Sequence, residues 1–229
     1  MMKMIITLSL KKASLKGAKT MKNESALENL KVLSYVERVG KVHLELDSAG
    51  STIVGASTDE EFATLIVPDF IKAVDLSQAD HEAMYGIDRV VIHGELESLD
   101  FLKELEFLSW VEIVNSEKYI SVDGVVYDEN MDLYFVPPRY HAHYLELLDT
   151  VRRIPSTVSF GFTEIGTLVI PHLVMAEADV FSGSFIRSII APECRYMGTI
   201  KDMAVLEHIE ANPMCIYERI ERCPMLFKI

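Results

Sequence analysis

Val180-Phe-Ser-Gly-Ser-Phe-Ile-Arg-Ser-Ile-Ile-Ala-Pro192 ends in a short aliphatic phrase stopped by a proline. Similar β-prone phrases recur on both sides: Thr64-Leu-Ile-Val-Pro68, Arg89-Val-Val-Ile-His93, Trp110-Val-Glu-Ile-Val114, Asp132-Leu-Tyr-Phe-Val-Pro137, Val151-Arg-Arg-Ile-Pro155, Thr167-Leu-Val-Ile-Pro171, Val205-Leu-Glu-His-Ile209 and Met225-Leu-Phe-Lys-Ile229. Measured at equivalent ends, 68, 93, 114, 137, 155, 171 and 192, the steps run from 16 to 25 residues. Repetition at this period is the mark of a coil in which each turn adds one short strand to a parallel ladder. Inward aliphatics then fill a continuous core, and proline ends the pairing because it has no N–H to donate. No turn buries its apolar face alone, so neighbours must stack and the ends need caps.

The 180–192 segment resembles the leucine-rich repeat of the bacterial BspA surface-antigen type, whose consensus reads roughly A-F-x-G-C-x-x-L-x-x-I-x-I-P. Arg222-Cys-Pro-Met-Leu-Phe-Lys-Ile229 is similar to the C-x-x-L-x-x-I half of the same unit. Tyr119-Ile-Ser-Val-Asp-Gly-Val-Val-Tyr127, leading on to Pro138, is similar to a hairpin inserted in that family. Ser184 departs from the pattern, standing where the family usually carries cysteine, the segment from Asp75 to Asp88 is long and charged, and Arg139 to Leu148 reads as inserted material. The resemblance covers about residues 61–229. It implies an α/β solenoid, an irregular leucine-rich-repeat coil of short parallel strands, and a role in adhesion or recognition at a cell surface or outside the cell.

Three regions follow. Residues 1–22 are a basic leader with six lysines and no acid; residues 23–60 are an N-terminal α+β cap; residues 61–229 are the repeat coil, with an insert near 119–148. In the cap, Ala26, Leu27, Leu30, Leu33 and Val36 have helical spacing behind Asn23-Glu24-Ser25, which predicts a helix over 23–39. Lys41 to Asp47 alternates apolar with polar, and Ser48 to Ser51 supplies a turn, which predicts a hairpin. Lysines 11, 12, 16, 19 and 22 interrupt the leader where a secretory peptide needs its apolar run. Lys16-Gly17-Ala18 is encodable by codons resembling a ribosome-binding sequence, so translation is expected to begin at Met21, with a disordered or membrane-surface arm as the rival reading.

Composition excludes several functions. Without the leader, 16 basic residues face 35 acidic ones, a net of −19, which repels nucleic acid. No apolar run reaches the roughly 18–20 residues needed to span a bilayer. Cys194, Cys215 and Cys223 lack disulfide or zinc-pair spacing, so a reduced, cytoplasmic compartment is expected, against the surface location the resemblance implies. Phosphate loops of the G-x-x-x-x-G-K-[ST] and G-x-G-x-x-G kinds are absent, and no cofactor is expected.

Candidate site residues cluster at Tyr140-His-Ala-His-Tyr144, with Tyr134 nearby in sequence. His141 and His143, two apart on a strand, share a face, which is the spacing of a shared metal ion, but no third ligand is identifiable and no metal is assigned. His172 and His208 join such a group only through the fold. Tyr134, Tyr140 and Tyr144 are expected as contact residues and Phe135 and Trp110 as core. Asp59-Glu60-Glu61 and Asp128-Glu129 read as exposed charge. Ser182 and Ser184 lack the strand–nucleophile–helix context of a hydrolase elbow, and Cys194 beside Arg195 has no base to serve. The expected function is a non-catalytic protein-interaction scaffold with an unidentified protein partner. Two alternatives stand beside it: an acidic nucleic-acid mimic or inhibitor of phage or plasmid origin, and a metal-dependent enzyme using His141 and His143.

Overall fold

The computed structural model describes residues 5–8 and 42–227. The chain divides into two compact units, Met1–Leu108 with Glu112–Ser116, and Ser109–Val111 with Glu117–Ile229.

In the first unit β1 (Ile5–Leu8), β2 (Val42–Leu46) and β3 (Thr52–Thr58) pair antiparallel in that order. The β2–β3 turn closes because the Asp47 carboxylate accepts the backbone N–H groups of Ser51 and Thr52 at 2.9 and 3.1 Å, while Gly50 takes φ +72° without steric cost. This is the expected hairpin. The expected helix over 23–39 and the proposed start at Met21 lie outside the described residues. Part of the leader does have a place, since Ile5–Leu8 lines the free edge of β2. Next, β4 (Ala63–Val67) runs parallel to β6 (Ile87–His93), with β7 (Trp110–Val114) completing the sheet, and the short β5 (Ala73–Val74) lies parallel to β3. β4 is buried along its whole length, as its unbroken aliphatic run requires.

The second unit opens with an antiparallel meander, β8 (Tyr119–Val122), β9 (Val125–Asp128) and β10 (Leu133–Phe135). Asp123 and Gly124, both at positive φ, make its first turn. From there the chain coils. The strands β11 (His141–Glu146), β13 (Glu164–Val169), β15 (Ser188–Ala191) and β17 (His208–Ala211) form one parallel ladder. The alternate strands β12 (Arg153–Ile154), β14 (Met175–Ala176), β16 (Tyr196–Lys201) and β18 (Ile216–Glu221) form a second. Each circuit therefore contributes two strands, not one.

Register explains the core. Leu145, Leu168, Ile189 and Ile209 stand opposite one another on successive strands, all buried. Corners repeat with the same fidelity. At the first, Tyr140, Thr163, Ser184 and Leu206 donate their N–H to the carbonyls of Pro137, Phe160, Phe181 and Met203; at the second, Val151, Leu173, Cys194 and Cys215 donate to Leu148, Ile170, Ala191 and Asn212. These bonds measure 2.8–3.4 Å, and equivalent corners lie 21 to 23 residues apart. The Phe160 and Phe181 rings pack at a tilt with centroids 5.4 Å apart, and a buried hydroxyl, Thr163 or Ser184, donates to each phenylalanine carbonyl at 2.7 or 2.8 Å.

Three expectations need correction. The α of the α/β solenoid is not found: among the described residues helix is limited to two short 3₁₀ turns, Glu82–Met84 and Asp100–Glu104, and the helix of the α+β cap has no support within them. Returns between strands are tied by i to i+3 bonds at each corner, which spends their carbonyls on turns instead of helix. The supposed insert at 139–148 instead contains β11, the first strand of a ladder. Lastly, Met225 to Phe227 is not a strand, and Val205 and Leu206 precede β17 instead of lying in it.

Candidate functional site

The outward face of the β11–β13–β15–β17 ladder can be read by rows. Ala142 pairs with Ile165 and Tyr144 with Thr167, so Gly166 stands beside His143. A Cβ at Gly166 would run into the His143 carbonyl, so glycine allows the two strands to approach and also leaves the surface bare above it. The result is a depression of about 340 Å³ lined by His141, Ala142, His143, Glu164, Ile165, Gly166, Phe185, Arg187 and Val205.

Its polar groups are partly engaged. His141 Nδ1 lies 3.2 Å from Glu164 Oε2, directly across the ladder. The Arg187 guanidinium donates to Glu207 Oε1 at 3.2 Å. The rings of His141 and His143 have centroids 6.2 Å apart. Phe185 in its lining is 43% exposed, and two further large side chains face solvent nearby in the chain, Tyr144 (55%) on β11 and Phe162 (60%) just before β13. Tyr144 donates its hydroxyl to Glu146 Oε2 at 2.6 Å, which raises the phenol above its ordinary range. Phe162, held at φ +62°, lies under the Arg139 guanidinium at 5.6 Å.

Of the sequence candidates, His141 and His143 line the depression, and Tyr144 beside them on β11 faces solvent without lining it. Tyr140 does not: it is 4% exposed, and burial, with the Asp123 charge second, raises its phenol above the usual value. Being the residue just before β11, it turns inward as the ring of the first corner. Tyr134 sits on β10 and packs its ring against Tyr119, centroids 4.9 Å apart. Trp110 is partly buried against the core and lies over Gly124. His172 pairs with Glu193 at 3.0 Å, and neither it nor His208 lines the depression. Phe162, Phe185, Glu164 and Arg187 escaped sequence reasoning, because only the register brings residues about 20 apart to one place.

The remaining chemistry is structural. Burial pushes the Cys194 thiol up to about 12, with Cys215 adding to the rise, so the neighbouring Arg195 does not activate it. Ser184 is buried on a carbonyl and Ser182 donates to Asp179. Asp128 accepts the N–H groups of Asn130 and Asp132 and so holds its own turn. Among the described residues, no group of three His, Cys, Asp or Glu side chains could hold a metal ion, and no helix is long and apolar enough to cross a membrane.

These features define a repeat coil in the second unit, a β-solenoid with an open ladder face. No protein-family model matches the chain, and no curated protein matches it. Among solved structures, a leucine-rich repeat protein from Eubacterium ventriosum is similar at 14% identity and a TM-score of 0.43, over 66% of this chain. The match spans 42% of that protein's length, less than half. The repeat architecture here rests on the ladders and corners themselves.

Proposed function

We propose that this chain is a non-catalytic recognition scaffold, akin to BspA-type leucine-rich repeats, that holds a protein partner on the outward face of the β11–β13–β15–β17 ladder. The observation that carries the reading is the depression itself, lined by Phe185 and the imidazoles of His141 and His143, on a ladder where Tyr144 and Phe162 also face solvent. Rigid aromatics at a rim supply large contact area at small entropic cost, and a bare patch above a glycine accepts an inserted side chain. Arg187, Glu164 and the imidazoles provide polar contacts within the same patch.

The test immobilises the full chain beside a variant with Tyr144, Phe162 and Phe185 all changed to alanine. A partner held by the first and lost by the second supports this face. Equal retention by both moves recognition elsewhere on the molecule.

A further inference from the structure

We propose that Cys194 and Cys215 form a redox-active pair, closing to a disulfide that staples two successive circuits when the chain meets a small-molecule disulfide as oxidant. This inference does not depend on the recognition role. In sequence the two cysteines stand 21 residues apart and lack the spacing of a pair, but 21 residues is one circuit of the coil. Both hold the same place in the second corner: Cys194 donates its N–H to Ala191 and Cys215 donates to Asn212, as Leu173 and Val151 donate in the circuits before. The column of corner residues thus passes from two aliphatics to two thiols in adjacent circuits. Register sets their separation, since the Ile216 N–H donates to the Arg195 carbonyl at 2.9 Å and Tyr196 pairs with Ile216, so the two corners open onto neighbouring strands. Such strands lie about 4.7–4.9 Å apart, inside the range of about 4.4–6.8 Å between Cα atoms that a disulfide spans. The side chains converge as well, because the two thiols share a hydrogen bond and the Tyr217 hydroxyl adds one to Cys215. Cys223 is differently engaged, its thiol donating to the carbonyls of Glu221 and Ile200 at 3.2 and 3.9 Å.

Access orders the steps. Cys194 is fully buried and Cys215 only half-buried, so the oxidant reaches Cys215 first. Cys215 loses its proton to solvent and its thiolate attacks one sulfur of the oxidant; the oxidant's S–S bond breaks, and the departing thiolate takes up a proton. Cys194 then loses its own proton, attacks the Cys215 sulfur of the mixed disulfide and releases the second half of the oxidant as a thiol. Two protein thiols are oxidised to one disulfide, and the oxidant is reduced to two thiols. Burial raises both cysteines above the ordinary thiol range, Cys194 to about 12, so closure is slow at neutral pH and quickens as pH rises.

The test incubates the folded full chain with oxidised glutathione at mildly alkaline pH, quenches with acid, counts thiols after unfolding and maps the peptides. Of the three thiols one should remain, and the mapped link should join Cys194 to Cys215 within one chain. Closing a loop of one circuit constrains the unfolded chain, so the urea midpoint should rise on oxidation and return when a reductant is added. Cys223→Ser should oxidise as the parent does and keep no free thiol. Cys215→Ser, a change at a half-buried position, should show no rise in midpoint with the oxidant. Retention of all three thiols overturns the proposal. So does a mapped link through Cys223 or between two chains, and so does a Cys194–Cys215 link that lowers the midpoint, which would mean that the folded corners hold the two sulfurs apart.

Discussion

The two parallel ladders of the second unit share one core and one set of corners, yet their outer faces differ. On β12–β14–β16–β18 the face is stitched by charge: Arg153 pairs with Glu177, Lys201 with Asp179 at 2.9 Å, Arg222 with Asp202, and Tyr196 donates to Glu218 at 3.0 Å. On β11–β13–β15–β17 the outer face carries aromatics and imidazoles around a bare glycine. The contrast shows how a repeat separates its duties. Inward positions must be apolar on every turn, so they specify the coil; outward positions are free, carrying mainly ion pairs on one ladder and, beside the His141–Glu164 and Arg187–Glu207 pairs, exposed aromatics and imidazoles on the other.

The comparison breaks first at the core. Leu168→Ala on one ladder and Ile200→Ala on the other, both buried in the same cluster, should each cost about 2–5 kcal/mol by urea unfolding. A large loss at one and none at the other would mean that the ladders do not share a cooperative core. Next come the strand glycines, one per ladder. Gly166→Ala drives a Cβ into the His143 carbonyl, and Gly198→Ala places one 2.6 Å from the backbone of Glu177 and Ala178. Each should cost about 1–3 kcal/mol as an overpacking change, but only Gly166→Ala should also fill the depression and weaken binding there.

A smaller effect belongs to the corners. Ser184→Ala deletes the hydroxyl that satisfies the Phe181 carbonyl and should cost about 1 kcal/mol in the same unfolding measurement. The smallest distinguishes the two faces by pH. Glu177, held low chiefly by the Ser156 N–H, Asp179, held low by Lys201, and Asp202, held low by Arg222, all titrate below the usual carboxylate range. Their folded values are depressed, so the stability they contribute is complete above the unfolded carboxylate range, about pH 4, and is lost as pH falls through the folded values. Unfolding midpoints should decline on acidification below about pH 4, and Glu177→Gln should flatten that decline by slightly lowering the neutral-pH midpoint while leaving the acid one nearly unchanged. An unchanged acid profile would remove the charge lacing from the account of that face.

Legibility in the sequence followed the same division. β4, β6, β13 and β15 were readable because they are aliphatic and flanked by proline, glycine or histidine breaks. The ladder through β16 and β18 was not, since Ile216-Tyr-Glu-Arg-Ile-Glu221 carries three charges in six residues and none of the six is fully buried. β11 was mistaken for inserted material for the same reason: as the outermost strand of its ladder, four of its six residues are exposed. Tyr140 and Tyr144 looked equivalent in sequence, but a corner turns one inward and the strand carries the other outward. The pairing of His141 with Glu164 needed the register itself, which no local pattern encodes.

Ser184 illustrates what the corner demands. The position where the resembled family carries cysteine is held here by a hydroxyl under Phe181, and by Thr163 under Phe160 one circuit earlier. Since the corner bonds recur every 21 to 23 residues with the same i to i+3 spacing, the coil is divisible at them. Joining the chain just after Phe160 to the residue that follows Phe181 would leave a phenylalanine, a hydroxyl and a strand in their accustomed order, with Ile189 brought against Leu145 where Leu168 had been. Such a chain loses length without losing grammar: genes for coils of this kind can gain or shed whole circuits by unequal exchange, and the reach of the ladder face becomes a quantity that evolution adjusts in steps.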